Sequence, residues 1–236
     1  MNQIFSYTGR DNLDAMSHAK NYNSYIHAWL SKGLRQGAVV LDFGSGHGEF
    51  FNRFQENSID ITAIEPDTSM YKYYRDPKPL QSINKVDKTF NLIYSINVLE
   101  HIEDDELIVK TFKEYLSDSD STIKIFVPAR QELYSSMDRK VGHYRRYSKN
   151  QLIKLFVDNG YEVKACRYFD SLGYFAALAY KFINKSGDIN RQGVKIYDKY
   201  VFPLNFIADK IFCQFFGKNI MLEAIKINTQ YSKQLF

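Results

Sequence analysis

Only two cysteines, one tryptophan and five prolines occur among the 236 residues. Cys166 and Cys213 stand far apart in apolar settings, which excludes a disulfide framework and a cysteine-rich metal site and leaves them as small buried hydrophobes. No uncharged apolar run approaches the roughly 20 residues that span a bilayer. The first residues, Met-Asn-Gln-Ile-Phe-Ser-Tyr, lack a basic stretch followed by an apolar one, so no secretory signal is expected and the expected compartment is the cytoplasm. There is no internal repeat and no low-complexity tract. Charge of one sign is also scarce. The net charge is +4, and the densest basic stretch is Arg139-Lys140 with Arg145-Arg146, so no nucleic-acid partner is expected.

Apolar residues and aromatics are abundant. They make up 44% and 16% of the chain, with 18 Tyr and 18 Phe, enough to fill the core of one α/β domain. Residues 11–34 carry an apolar stripe at helical spacing (Leu13, Met16, Tyr25, Ile26, Trp29, Leu30, Leu34) that ends before Gly37. Short apolar runs at residues 38–43, 59–64, 90–96, 122–127, 161–169 and 220–227 read as strands. Helical patterns lie between them at residues 49–57, 68–74, 103–116 and 149–159, the last closed by Gly160. Acids at the start of the 103–116 helix complement its dipole and need no functional explanation. Strands alternating with helices predict a doubly wound, mostly parallel sheet covered on both faces. The expected organisation is one domain: an N-terminal helical cap (1–36), a core (37–170), a helical insertion (171–217), and a last strand with a tail (218–236).

The segment Asp42-Phe43-Gly44-Ser45-Gly46-His47-Gly48 follows a strand and opens a helix. Glycines there let the backbone turn tightly and approach a ligand closely at a strand's carboxyl end. A dinucleotide turn needs a third small residue, and that position is Glu49, so the G-x-G-x-G spacing disfavours NAD. Glu65 ends the next strand, where a carboxylate can accept both hydroxyls of a ribose. Pro66 and Met70 follow it. The third element runs from Phe90 to Ile102 and contains Asn97-Val98-Leu99-Glu100-His101. In this order and spacing the three elements resemble class I S-adenosylmethionine (SAM)-dependent methyltransferases across roughly residues 35–165. The resemblance implies a seven-stranded Rossmann-like sheet with SAM as cofactor. Asp42, Gly44, Ser45, Gly46 and Gly48 would surround its methionine part, Glu65 its ribose and Met70 its adenine, with Asn97 and Val98 near the sulfonium. The Asp that the family often has before the third strand has no clear counterpart among Ser82, Asn84 and Asp87.

The stretch from Pro128 to Tyr147 resembles a bacterial subgroup found beside cell-surface saccharide glycosyltransferases. That likeness implies O-methylation of a sugar, saccharide or glycolipid intermediate, and an N-terminal element such as Asn21-Tyr22-Asn23 closing over SAM. His101 and His143 are the candidate bases, since a hydroxyl acceptor gains from one and histidine titrates in range. Either can equally be a structural residue. Tyr134, Asp138, Tyr144 and Arg145 are acceptor-pocket candidates, although Arg145 can equally pair with a carboxylate of the chain. No His, Cys and carboxylate cluster marks a metal. Beyond residue 171 the aromatics read first as helix packing. They are also open to roles as a homodimer interface, a lid or a peripheral membrane contact beside interleaved Lys. Two other readings remain: the same enzyme with a small aromatic, quinone-like or lipid acceptor, and a non-catalytic SAM-binding partner protein.

Overall fold

The computed structural model describes residues 7–183 and 185–227. Six strands form one sheet among them: β1 Val39–Phe43, β2 Asp60–Ile64, β3 Leu92–Ile96, β4 Thr122–Pro128, β5 Tyr161–Phe169 and β6 Asn219–Lys226. Their order is β2-β1-β3-β4-β6-β5. β1 to β4 pair in parallel, and β6 runs antiparallel to both β4 and β5. The chain steps from β1 out to β2 and then returns to the other side of β1 as β3. This reversal opens a crevice at the carboxyl ends of β1 and β3, where α/β sheets of this kind take their ligands.

The expected seventh strand is reduced to a single bridge, Ile64 to Leu80. Leu80 N donates to Ala63 O and Glu65 N donates to Leu80 O, each at 2.9 Å. Pro77 and Pro79 lack the N–H groups that would extend the ladder.

Period-two alternation sends neighbouring strand residues to opposite faces. Leu41, Ile93 and Ile125 join a core with Val109, Phe112, Leu152 and Phe156. Val40, Leu92 and Phe126 join a second core with Ile26, Leu30, Phe51 and Phe54. The first face is covered by α4 Asp105–Tyr115 and α6 Lys149–Asp158, and the second by α2 Lys20–Ser31 and α3 Glu49–Glu56. Asp104 and Ser148 cap α4 and α6, accepting from Leu107 N and Gln151 N. Gly160, at φ +79°, ends α6 in the left-handed conformation the sequence predicts. The amphipathic stretch at residues 11–34 is two helices, α1 Arg10–Met16 and α2, separated by a turn. Lys124, 2% exposed in mid-β4, donates to the carbonyls of Trp29, Leu30 and Lys32 at 2.9, 3.2 and 2.8 Å. It thereby satisfies orphan carbonyls at the end of α2.

Between β5 and β6 lie α7 Ser171–Ile183, α8 Arg191–Ile196 and α9 Phe202–Phe212, with a π-helical turn before α9. Their acids point inward. Asp209 accepts from Asp170 N and Ser171 N, and Asp198 accepts from Asn21 N and Tyr22 N at the start of α2. Large apolar groups remain outside, among them Phe182, Ile183, Ile207 and Phe215 at 73, 82, 65 and 69% exposure. Ordinary packing therefore accounts for only part of the aromatic content here.

Phe156, fully buried and 5.2 Å from the Tyr161 ring, should cost about 3–5 kcal/mol when replaced by Ala. Urea unfolding should show a lower midpoint with an unchanged slope.

Candidate active site

Asp42 lies near the end of β1 at 2% exposure. Burial pushes its carboxyl up to about 8, against the lowering effect of Tyr94. Gly44, Gly46 and Gly48 follow at φ +80°, +54° and +71°. A Cβ on Gly44 would stand 2.3 Å from Val98 Cγ2, and one on Gly48 would stand 2.8 Å from the Tyr74 ring. Backbone conformation and space both demand glycine. Gly44 N and Ser45 N donate to Ile64 O at 2.9 and 3.0 Å, and the Tyr74 hydroxyl donates to Gly46 O at 2.8 Å. Ser45 Oγ lies 2.6 Å from that hydroxyl.

Glu65 is joined to the turn. Its Oε2 accepts from Gly46 N and its Oε1 from Asp67 N, both at 2.8 Å. Burial raises its pKa, and these two bonds oppose the rise. A carboxylate has about four lone-pair sites, so each oxygen can accept again. Pro66 is exposed, and Met70 is buried in a core cluster with Phe51 and Tyr74. Thr68–Tyr73 is a 3-10 helix rather than the expected α-helix, with Asp67 accepting from Ser69 N at its start. After β3, Asn97 is exposed at φ +53° and donates its N–H to Phe126 O, while Val98 fills the space that Gly44 leaves.

An arm of the N-terminus lies over this turn. Arg10 and Tyr7 N donate to Asp67 Oδ2 at 2.8 and 2.9 Å, and Leu13 Cδ2 is 3.0 Å from where a Gly46 Cβ would stand. Burial would raise the Asp67 carboxyl, but bonds from Ser69, Tyr7 and Arg10 hold it at about 2, so this latch stays charged at neutral pH. Depression below the ordinary 3.8 means that its stabilisation is full above about pH 4 and is lost only as pH falls toward 2.

Opposite the turn, the 3-10 helix Leu99–His101 meets the loop after β4. Glu100 is fully buried, both carboxylate oxygens lack a hydrogen-bond partner, and burial pushes its pKa up to about 8. His101 has its pKa lowered to about 4 by burial and by His143, against an opposing effect of the Gly142 and Val141 backbone. The two imidazoles meet edge to face at 4.5 Å, and Tyr7 closes on His101 from the other side at 5.4 Å. His143 Nδ1 is 2.7 Å from Asp138 Oδ1, and its Nε2 faces Glu100 Oε1 at 3.7 Å. Asp138 is fully buried and accepts from Arg146 Nε and Nη2 at 2.8 and 3.0 Å. Burial alone would raise its carboxyl, yet His143 and Arg146 hold it well below the carboxylate range.

Residues 15–165 match a family described as "Methyltransferase domain". The chain belongs to that family. The methyltransferase has no match among curated proteins. Solved structures share its fold at low identity. A SAM-dependent methyltransferase from Archaeoglobus fulgidus is 18% identical with a TM-score of 0.58, over 88% of this chain and 94% of that one. The methyltransferase bound to the Trm112 activator in Haloferax volcanii gives 13% and 0.61, over 93% and 95%. The glycopeptide N-methyltransferase MtfA complexed with SAM gives 14% and 0.51, over 90% and 94%. The enzyme is a SAM-dependent methyltransferase with a Rossmann-like fold, and SAM is its cofactor. Bare backbone at Gly44–Gly48 and the spare lone pairs of Glu65 fit that group.

Several expected roles change. Tyr22 is 5% exposed and packs among Phe126, Phe169 and Phe202, its hydroxyl accepting from Asn219, so it belongs to the core and the arm of Tyr7 to Met16 covers the turn instead. Asp138 anchors His143 and Arg146 rather than facing an acceptor. Arg145 pairs with Asp105 at 2.8 Å and donates to Glu103 O at 2.7 Å, the internal pairing left open by sequence. Tyr134 donates to His143 O at 2.6 Å, and only Tyr144, 55% exposed, faces outward freely. Glu100, His101 and His143 bring one ligand atom each to within 4.8 Å of one another, the kind of cluster the sequence reading did not find. Adjacency of Glu100 and His101 was its only linear sign. Tyr7 and Asp67 were missed because they pair across 60 residues of chain, and Arg146 because its pairing with Asp138, eight residues back, follows no helix or strand spacing.

Asp67→Asn should loosen the arm. Amide exchange at residues 7–16 should speed up about tenfold, the loss of roughly 1.4 kcal/mol, while β1 and β3 keep their protection.

Proposed function

We propose that this methyltransferase methylates a hydroxyl oxygen of a saccharide or saccharide-linked acceptor. The observation that carries the hydroxyl is the Glu100–His101–His143 cluster beside Asn97 and Val98. A thiolate acceptor arrives already deprotonated and has little need of such a set, whereas a hydroxyl must shed its proton. On this reading Asp42, Ser45 and the three glycines hold the methionine part of SAM, Glu65 accepts from the ribose hydroxyls and Met70 flanks the adenine. SAM supplies an electrophilic methyl group and leaves as S-adenosylhomocysteine. Asp138, accepting from His143 Nδ1, fixes the tautomer whose Nε2 lone pair can draw the hydroxyl proton, as an orienting carboxylate does in hydrolytic triads. Tyr144, exposed beside the Arg145 guanidinium, offers a ring face to a sugar ring. The SAM-bound glycopeptide enzyme among the structural neighbours supports an acceptor of that size.

A lipid-linked or quinone-like acceptor is favoured by one feature, the exposed apolar groups on α7 and α9. No helix among the described residues is long and apolar enough to cross a membrane. A role as a non-catalytic SAM-binding partner leaves the buried polar cluster without a purpose.

Glu65→Ala should weaken SAM binding about 10–100-fold in calorimetry, the range for losing one or two bonds to a charged group. Unchanged affinity would move the ribose elsewhere. In an acceptor screen that reads S-adenosylhomocysteine release and the methylated atom, His143→Ala should lower kcat about 100-fold or more while the KM for SAM stays put. N- or C-methylated products would sink the hydroxyl reading.

A further inference from the structure

We propose that Glu100, His101 and His143 form a binding site for one divalent transition-metal cation. The three donors come from two segments that meet only in the fold, and their ligand atoms lie within 4.8 Å of one another. Bonds of about 2.1 Å place tetrahedral donors about 3.4 Å apart. Glu100 Oε1 and His143 Nε2, at 3.7 Å, already approach that spacing.

One imidazole is prepared in the way metal sites require. A ligating histidine gives its second N–H to a carboxylate or carbonyl, which fixes the ring and leaves one lone pair inward. His143 does this through Nδ1 to Asp138, a carboxylate kept charged by Arg146. His101 is held by packing instead, with the His143 ring on one side and the Tyr7 ring on the other.

Glu100 is the independent observation. It is fully buried, yet neither oxygen has a hydrogen-bond partner. A buried polar group left in that state is costly, and the nearby cation, Arg146, is already held by Asp138. A bound divalent cation would satisfy both oxygens. One carboxylate and two imidazoles, with no thiolate, suit zinc and its first-row neighbours rather than calcium. Three protein ligands leave a coordination position open, as catalytic sites do. A hydroxyl bound there would ionise more readily, so with the cation in place the metal takes over the proton-releasing role assigned above to the His143 Nε2 lone pair, which is then a ligand. This deepens the hydroxyl-acceptor reading and rests on it for its role, although the binding itself does not require an acceptor.

The test uses tag-free full-length protein, stripped with a chelator and free of SAM and acceptor. Titration with zinc chloride should show one saturable site, and cobalt(II) should give visible absorption bands of a low-symmetry site with nitrogen ligands. Glu100→Gln and His143→Ala should each weaken zinc at least about 100-fold, while His18→Ala leaves it unchanged. Circular dichroism checks that the variants fold, and Glu100→Gln keeps the side-chain volume. Absence of saturable binding to the wild type, or binding that both variants retain, overturns the site. Turnover of a hydroxyl acceptor by the stripped enzyme at the full rate would show that the acceptor reading survives without the cation's assigned role.

Discussion

A side chain at position 44 has nowhere to go, and much of the site follows from that. With Val98 occupying the space, the turn after β1 and the turn after β3 touch directly. Their contact sits where the sheet reverses its order of connection. Ile64 O then receives two N–H groups of the turn, so the end of β2 is tied in as well. Three strand ends are thus tied together, two by backbone hydrogen bonds and the third by the Val98 side chain.

The geometry of the glycine turn and of Glu65 was legible in the sequence because its requirements are local. Glycines at positive φ, a carboxylate one strand later and a third strand end are all readable as spacing. The strands were legible for the same reason, since alternation between two cores shows as apolar runs. What failed to show was the set of side-chain pairings that only the fold makes. Asp138 reads in the sequence as an acceptor-pocket candidate, yet Arg146 and His143 close on it. Tyr22 is expected over SAM by resemblance, yet Phe126, Phe169 and Phe202 surround it in space. The family's seventh strand is likewise expected by resemblance, and Pro77 and Pro79 leave it a single bridge.

The segment after β4, which holds the 3-10 turn Gln131–Leu133 and the short α-helix Ser136–Val141, is pinned at several points by polar contacts. Arg130 N donates to Tyr147 O and Tyr144 N to Glu100 O, at 2.9 and 2.8 Å. Asp138 draws the Arg146 guanidinium and the His143 imidazole to one buried point, and such pairs cost dearly to break one partner at a time. Positioning rather than flexibility is therefore built into the acceptor side, and reactions between two bound groups depend most on positioning.

The arm has the opposite character. Its grip on the cofactor turn is one apolar side chain, Leu13, and a carboxylate shared by Arg10 and Tyr7. A ligand seated between that turn and the arm, as proposed for SAM, would be shut in while those contacts last, and its exchange would wait on the lifting of residues 7–16.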